Sequence, residues 1–140
     1  MSIFAISRDG AMNSLARSSH PGQQIVGWQT VEVITLDDFV RQLRIERVAF
    51  IKIDGEGAGK LVLEGARSLL YSANPPTILC EFCDLTASGF QSSGRDLWDA
   101  FVSYGYELFS LSGTSPCTIH PAQRKDKYIY ENLVARKTSQ

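Results

Sequence analysis

Leu36, Phe39, Val40 and Leu43 recur at i, i+3, i+4 and i+7, the spacing of one helical face. Thr35 precedes them as a cap, and Asp38 three residues on completes a box-like pair. Val48-Ala49-Phe50-Ile51-Lys52-Ile53 is apolar at almost every position, which predicts a strand covered on both faces, as in a parallel sheet. It runs through Asp54-Gly55-Glu56-Gly57-Ala58-Gly59 into a helix carrying Leu61, Val62, Leu63, Ala66, Leu69 and Leu70. Asn74-Pro75-Pro76 stops that helix. Thr77 to Phe82 predicts a second strand covered on both faces, and residues 84–95 a polar loop. A helix with Leu97, Trp98, Phe101 and Val102 then exits at Gly105. Strands are expected at Tyr106–Leu111 and Tyr128–Ala135, with a turn at Ser112-Gly113-Thr114 and a loop over 115–127.

Ahead of these, Ile3–Ile6 and Val31–Ile34 read as short strands, Asp9-Gly10 as a turn, and residues 17–24 as a polar loop. The order helix–strand–helix–strand–helix–strand–strand predicts one α/β domain over 1–140, with parallel strands, right-handed crossovers and a terminal antiparallel strand pair.

Composition narrows the partners. Fourteen basic and fifteen acidic residues give a net charge of -1, so there is no overall basic field for nucleic acid or an anionic membrane. No apolar run approaches the ~20 residues of a membrane span. Three cysteines give no disulfide framework, and a cytoplasmic location is expected. Cys80-x-x-Cys83 and Cys117-x-x-His120 mimic a four-ligand zinc pattern. Cys80 lies in an apolar strand, however, where side chains three apart point oppositely, and no turn separates the pair. No metal is assigned.

In an open α/β sheet, ligands bind outside the carboxyl ends of the strands. That rule selects Asp54 and Glu56 after one strand, and Glu81 and Asp84 at the end of the next. If the strands are neighbours, these carboxylates converge on one rim, able to hold a divalent cation or raise one another's pKa for acid–base work. The alternative is that each caps a helix or orders a turn. Lys52 interrupts an apolar strand: either its stem packs and its head snorkels, or it pairs with a rim carboxylate. Gly55, Gly57 and Gly59 form a strand–loop–helix junction of the kind that lets backbone N–H groups approach a phosphate or nucleotide. Their spacing meets neither the dinucleotide nor the P-loop signature. A nucleotide site at Gly55–Gly59, with Glu81 as ribose-binding acid, remains a rival reading.

These residues resemble the FkbM-type methyltransferases, which use S-adenosylmethionine. Val33 to Asp38 is similar to the family's "tLDd" segment, Phe50 to Ala58 to "flKiDvEGaE", and Leu63-Glu64-Gly65-Ala66 to "LkGa". Ile78 to Glu81 resembles the next strand and its acid, Asn132 to Ala135 the closing strand, and Asp9 to Leu15 the stretch ahead of "tLDd". Gly55 stands where the family usually has Val, and Gly59 where it usually has Glu.

The resemblance implies a Rossmann-like methyltransferase sheet with helices on its faces. It implies O-methyl transfer to a hydroxyl of a small-molecule acceptor, a sugar or secondary metabolite. Asp54, Glu56 and Glu81 become the catalytic rim, with Lys52 and Asp84 binding substrate. The family's cofactor loop lies N-terminal to everything matched, so an N-terminally truncated domain, inactive alone, is expected. A non-catalytic interaction or subunit domain is the alternative. The strand Val48–Ile53 would then lack a neighbour. Either the two N-terminal strands fold over its edge, or the chain self-associates through it.

Overall fold

The computed structural model describes residues 1–8, 10–113 and 117–137. It is a mixed α/β structure with two sheets. β1 (Ser2–Ser7) and β2 (Ile25–Val31) pair antiparallel, Ile3 opposite Thr30 and Ala5 opposite Trp28. The second sheet has the order β3-β4-β7-β5-β6, with β3 (Phe50–Ile53), β4 (Thr77–Phe82), β5 (Glu107–Ser112), β6 (Thr118–Pro121) and β7 (Glu131–Arg136). Among the described residues only β3 and β4 run parallel as neighbours, and β7 returns antiparallel between β4 and β5.

The terminal antiparallel pair is therefore present as β5 and β7. The second N-terminal strand occupies 25–31 rather than 31–34, because pairing to β1 specifies it. The expected 115–127 loop contains β6, which pairs with β5 through Ser112 opposite Thr118. Asp9 and Thr114, each part of an expected turn, lie outside the described residues; Gly10 has φ +73°.

α1 (Leu36–Gln42) starts as expected: Thr35 Oγ1 accepts from the Asp38 N–H at 3.0 Å. The single helix expected over 60–70 is two, α2 (Gly59–Glu64) and α3 (Arg67–Leu70). Asp37 causes the break. Its N–H donates to the Gly65 carbonyl at 2.9 Å, and its carboxylate accepts from the N–H groups of Ser68 (2.8 Å) and Leu69 (3.1 Å). The second half of the run thus receives its own N-terminal acceptor. The expected loop 84–95 contains α4 (Asp84–Ala87) and a short 3-10 turn (Ser88–Phe90) before α5 (Gly94–Ser103).

The core lies on one face of the larger sheet. Ile78, Cys80 and Phe82 of β4 pack with Leu63, Leu70, Leu97 and Phe101 from the helices. The intervening Leu79 and Glu81 are only half-buried. Coverage on both faces is thus corrected. On β3, Phe50 is 56% exposed and Lys52 is exposed, while Ile53 is buried. This also accounts for Lys52, whose side chain leaves on the open face. The N-terminal strands pair with each other and do not extend the sheet at β3, which remains an edge strand.

Candidate active site

β3 and β4 run side by side with Ile53 opposite Cys80, so their carboxyl ends finish together. Asp54 and Glu56 follow the first, and Glu81 closes the second. Carboxylate oxygens of Asp54, Glu56 and Glu81 lie within 4.8 Å of one another, the convergence expected of the rim. Among the described residues this is the one such group, and it contains no cysteine or histidine. Cys80 and Cys83 are buried and Cys117 is exposed.

Lys52 Nζ donates to Asp54 Oδ2 at 2.7 Å across a largely exposed pair. The bond to Asp54 raises the Lys52 pKa. Glu81 is also shifted upward, away from a solvated acid. Burial raises its pKa first, then the charges of Glu56 and Asp54, partly offset by Lys52 and His20. Glu56 sits at φ +47°, a left-handed conformation that costs a non-glycine residue roughly 1–2 kcal/mol. Its carbonyl accepts from Ser14 Oγ at 3.3 Å, tying the N-terminal region to the turn.

Three further residues border the rim. His20 comes from the polar loop, which Ser19 fastens to α4 and the 3-10 turn through Ser88 Oγ (2.8 Å) and the Leu85 carbonyl (3.3 Å). Asn132 is the cross-strand partner of Glu81, and its amide donates to Tyr130 Oη at 3.3 Å. Tyr130 adds to the field that raises Lys52. No local pattern announces these three, because sheet pairing and loop docking bring them in from more than 30 residues away.

Asp84 does not join the rim cluster. Oδ1 accepts from the Gly94 N–H at 2.7 Å and Oδ2 from the Tyr128 N–H at 3.0 Å. Its own N–H donates to the Tyr128 carbonyl at 2.8 Å. Both oxygens accept from backbone, which corrects the expectation that this carboxylate converges with the other three on the rim.

The glycine turn is packed from within. A side chain at Gly57, whose φ is +93°, would press into the backbone at Thr86 and Ala87. One at Gly59 would meet Leu97 at 3.1 Å and Cys80 Sγ at 3.4 Å. Only Gly55 is open, with Ala58 Cβ at 3.6 Å. At Gly57 and Gly59, protein fills the space a side chain would need.

An α/β sheet with a carboxylate rim at the ends of adjacent parallel strands is consistent with a methyltransferase-like fold. The family model "Methyltransferase FkbM domain" matches residues 2–108, and the chain belongs to that family. The match starts earlier than the residues that carry the resemblance, at β1. It ends as β5 begins, so the closing strand at Asn132–Ala135 falls outside it. No curated protein and no solved structure matches the chain. Among the described residues no helix is long and apolar enough to cross a membrane.

The crowding at Glu81 makes stability pH-dependent. A carboxyl whose folded pKa is raised contributes stability below its unfolded pKa and loses it as pH rises through the folded value. Glu81→Gln removes the charge and keeps the shape. At pH 7 the variant is expected to melt above wild type, with the gap closing as pH falls toward about 4, where the wild-type carboxyl is protonated in both states. Thermal melts across that range read the effect, and a lower melting temperature for the variant at pH 7 contradicts it.

Proposed function

We propose that the chain supplies the acceptor side of an O-methyltransferase site. Asp54, Glu56 and Glu81 orient and deprotonate a hydroxyl of a sugar or secondary metabolite. The observation that carries this is the convergence of three carboxylates within 4.8 Å at the ends of two parallel strands. Glu81 is the base we favour. Its raised pKa makes it a stronger base than a solvated carboxylate. Lys52 fixes Asp54, and its ammonium can donate to a second acceptor oxygen.

The family implies S-adenosylmethionine as methyl donor. Packing accounts for the glycines at 57 and 59 without a bound nucleotide, since a Cβ at either would meet protein. The same packing weighs against the rival nucleotide site there. We therefore assign the donor no place on this turn and expect the isolated chain to be inactive. The non-catalytic alternative draws its support from the open β3 edge.

A two-probe titration of the 15N-labelled chain tests the reading. Methyl glucoside is expected to shift the amides of Asp54, Glu56 and Glu81, whereas S-adenosylmethionine leaves the spectrum unchanged. An unresponsive rim removes the acceptor role. Shifts at Gly55–Gly59 with S-adenosylmethionine restore the nucleotide reading.

A further inference from the structure

We infer that Asp54-Gly55 is a site of spontaneous backbone rearrangement, at which Asp54 converts to isoaspartate through a cyclic imide. The chain carries the dipeptide Asp-Gly twice, at 9–10 and at 54–55. Aspartate followed by glycine suits this reaction, because no Cβ shields the nitrogen that must attack the carboxyl. The nitrogen must also be free. A hydrogen-bonded N–H resists both deprotonation and the rotation that turns it onto the side chain.

The fold treats the two pairs differently. The Gly10 N–H donates to the Ser7 carbonyl at 3.1 Å. The Gly55 N–H has no acceptor among the described residues. Strand pairing explains this. The β3–β4 register ends with Ile53 opposite Cys80, so the next rung, which would carry the Gly55 N–H to the Glu81 carbonyl, is not formed. The chain turns away instead, with the Gly55 carbonyl accepting from the Ala58 N–H at 3.1 Å and Glu56 at φ +47°. Gly55 is also uncrowded, since a Cβ there would meet only Ala58 Cβ at 3.6 Å. Among the described residues the Asp54 carboxylate has one hydrogen bond, from Lys52 Nζ at 2.7 Å. That pair is largely exposed and adds little, so the carboxylate leaves it readily.

The ring closes between adjacent residues and needs only water as co-reactant. The Gly55 nitrogen bonds to Asp54 Cγ, a Cγ–O bond breaks, and that oxygen leaves as water with the amide proton and one from solvent. Water then opens the imide. Where it adds at the main-chain carbonyl carbon, the bond from that carbon to nitrogen breaks, the nitrogen takes back a proton, and the new carboxyl ionises. The main chain now runs through Cβ and Cγ and is one methylene longer between β3 and the turn, while the carboxylate sits directly on Cα. The convergence of Asp54 with Glu56 and Glu81 within 4.8 Å is lost, so the rim sheds one of its three acids as the protein ages.

Peptide mapping of the full chain after prolonged incubation at physiological temperature and neutral pH tests the assignment. Trypsin places the two pairs on separate peptides, residues 9–17 and 53–60. The 53–60 peptide is expected to accumulate an isomer of equal mass that elutes apart, several times faster than the 9–17 peptide, through a species lighter by one water molecule. In urea, where both amides lose their native surroundings, the two rates are expected to converge. Gly55→Ala sets a Cβ beside the attacking nitrogen in a turn with room for it, and is expected to slow the 53–60 rate several-fold with the fold intact. A 53–60 peptide that isomerises no faster than 9–17 in the native chain overturns the assignment, as does a Gly55→Ala protein that isomerises at the wild-type rate. A difference that persists unchanged in urea overturns the role given to the free Gly55 N–H.

Discussion

Replacing Gly57 with alanine is expected to cost about 3 kcal/mol of unfolding free energy, a large part of the ~5–15 kcal/mol that a domain possesses. Two effects add. At φ +93° an L side chain is strained, which accounts for roughly 1 kcal/mol. The new Cβ also falls on the backbone of α4, against the Thr86 carbonyl and 2.6 Å from the Ala87 nitrogen. Backbone cannot swing aside as a lysine tip does, and α4 is held at its start by Asp84. Overpacking of this kind costs about 1–3 kcal/mol. Gly55→Ala is the control, two residues away in the same turn. Its Cβ meets only Ala58 Cβ at 3.6 Å. That change is expected to be neutral or to stabilise by about 0.5 kcal/mol through the unfolded state. Urea denaturation of both variants reads the contrast. Equal midpoints would falsify the packed-turn geometry, and with it the argument that protein fills the space over these glycines.

The contrast between those two glycines shows what the sequence makes legible. Gly55, Gly57 and Gly59 look alike in one dimension. What separates them is α4 and α5, which reach the turn from some 30 residues downstream. The elements read correctly are those with a local cause. β4 is a compact apolar run between prolines and a polar stretch, α5 has a capping Ser93 and a clear apolar face, and Thr35 caps α1 with Asp38 in place. The rim was legible because strand ends and carboxylates coincide twice, and parallel neighbours bring the two together.

The elements misplaced have distant causes. β2 takes its limits from β1, and β6 exists because β5 lies beside it. α2 and α3 separate because Asp37, from another helix, supplies a cap that the uninterrupted apolar pattern cannot reveal. Coverage of β3 on both faces follows from an apolar composition only when a layer packs on each face. Phe50 and Lys52 remain exposed because the second face has no covering layer. His20, Tyr130 and Asn132 reach the rim through a docked loop and a strand returning from the far end of the chain.

Asp84→Ala is expected to destabilise the protein by about 3 kcal/mol, lowering the melting temperature by roughly 10 °C. Asp84 serves two buried backbone donors at once. Gly94 opens α5, and Tyr128 begins the segment that leads into β7. Tyr128 is itself core, its ring 5.1 Å from that of Phe82. Removing the carboxylate leaves both N–H groups without an acceptor, at about 1–3 kcal/mol for each buried donor. It also takes a negative charge from the first turns of two helices, where the backbone dipole favours one. Asp84→Asn keeps the shape but turns an amide N–H toward a donor, so it recovers only part of the loss. Asp54→Ala is expected to behave differently. Its bond to Lys52 is largely solvent-exposed, and exposed pairs add little, so the denaturation midpoint should stay near wild type. Chemical denaturation of the three variants thus separates a carboxylate that holds the fold from one left free to face a ligand. An Asp84→Ala protein as stable as wild type would return Asp84 to the substrate-binding set. An Asp54→Ala protein as unstable as Asp84→Ala would make the rim itself part of the framework.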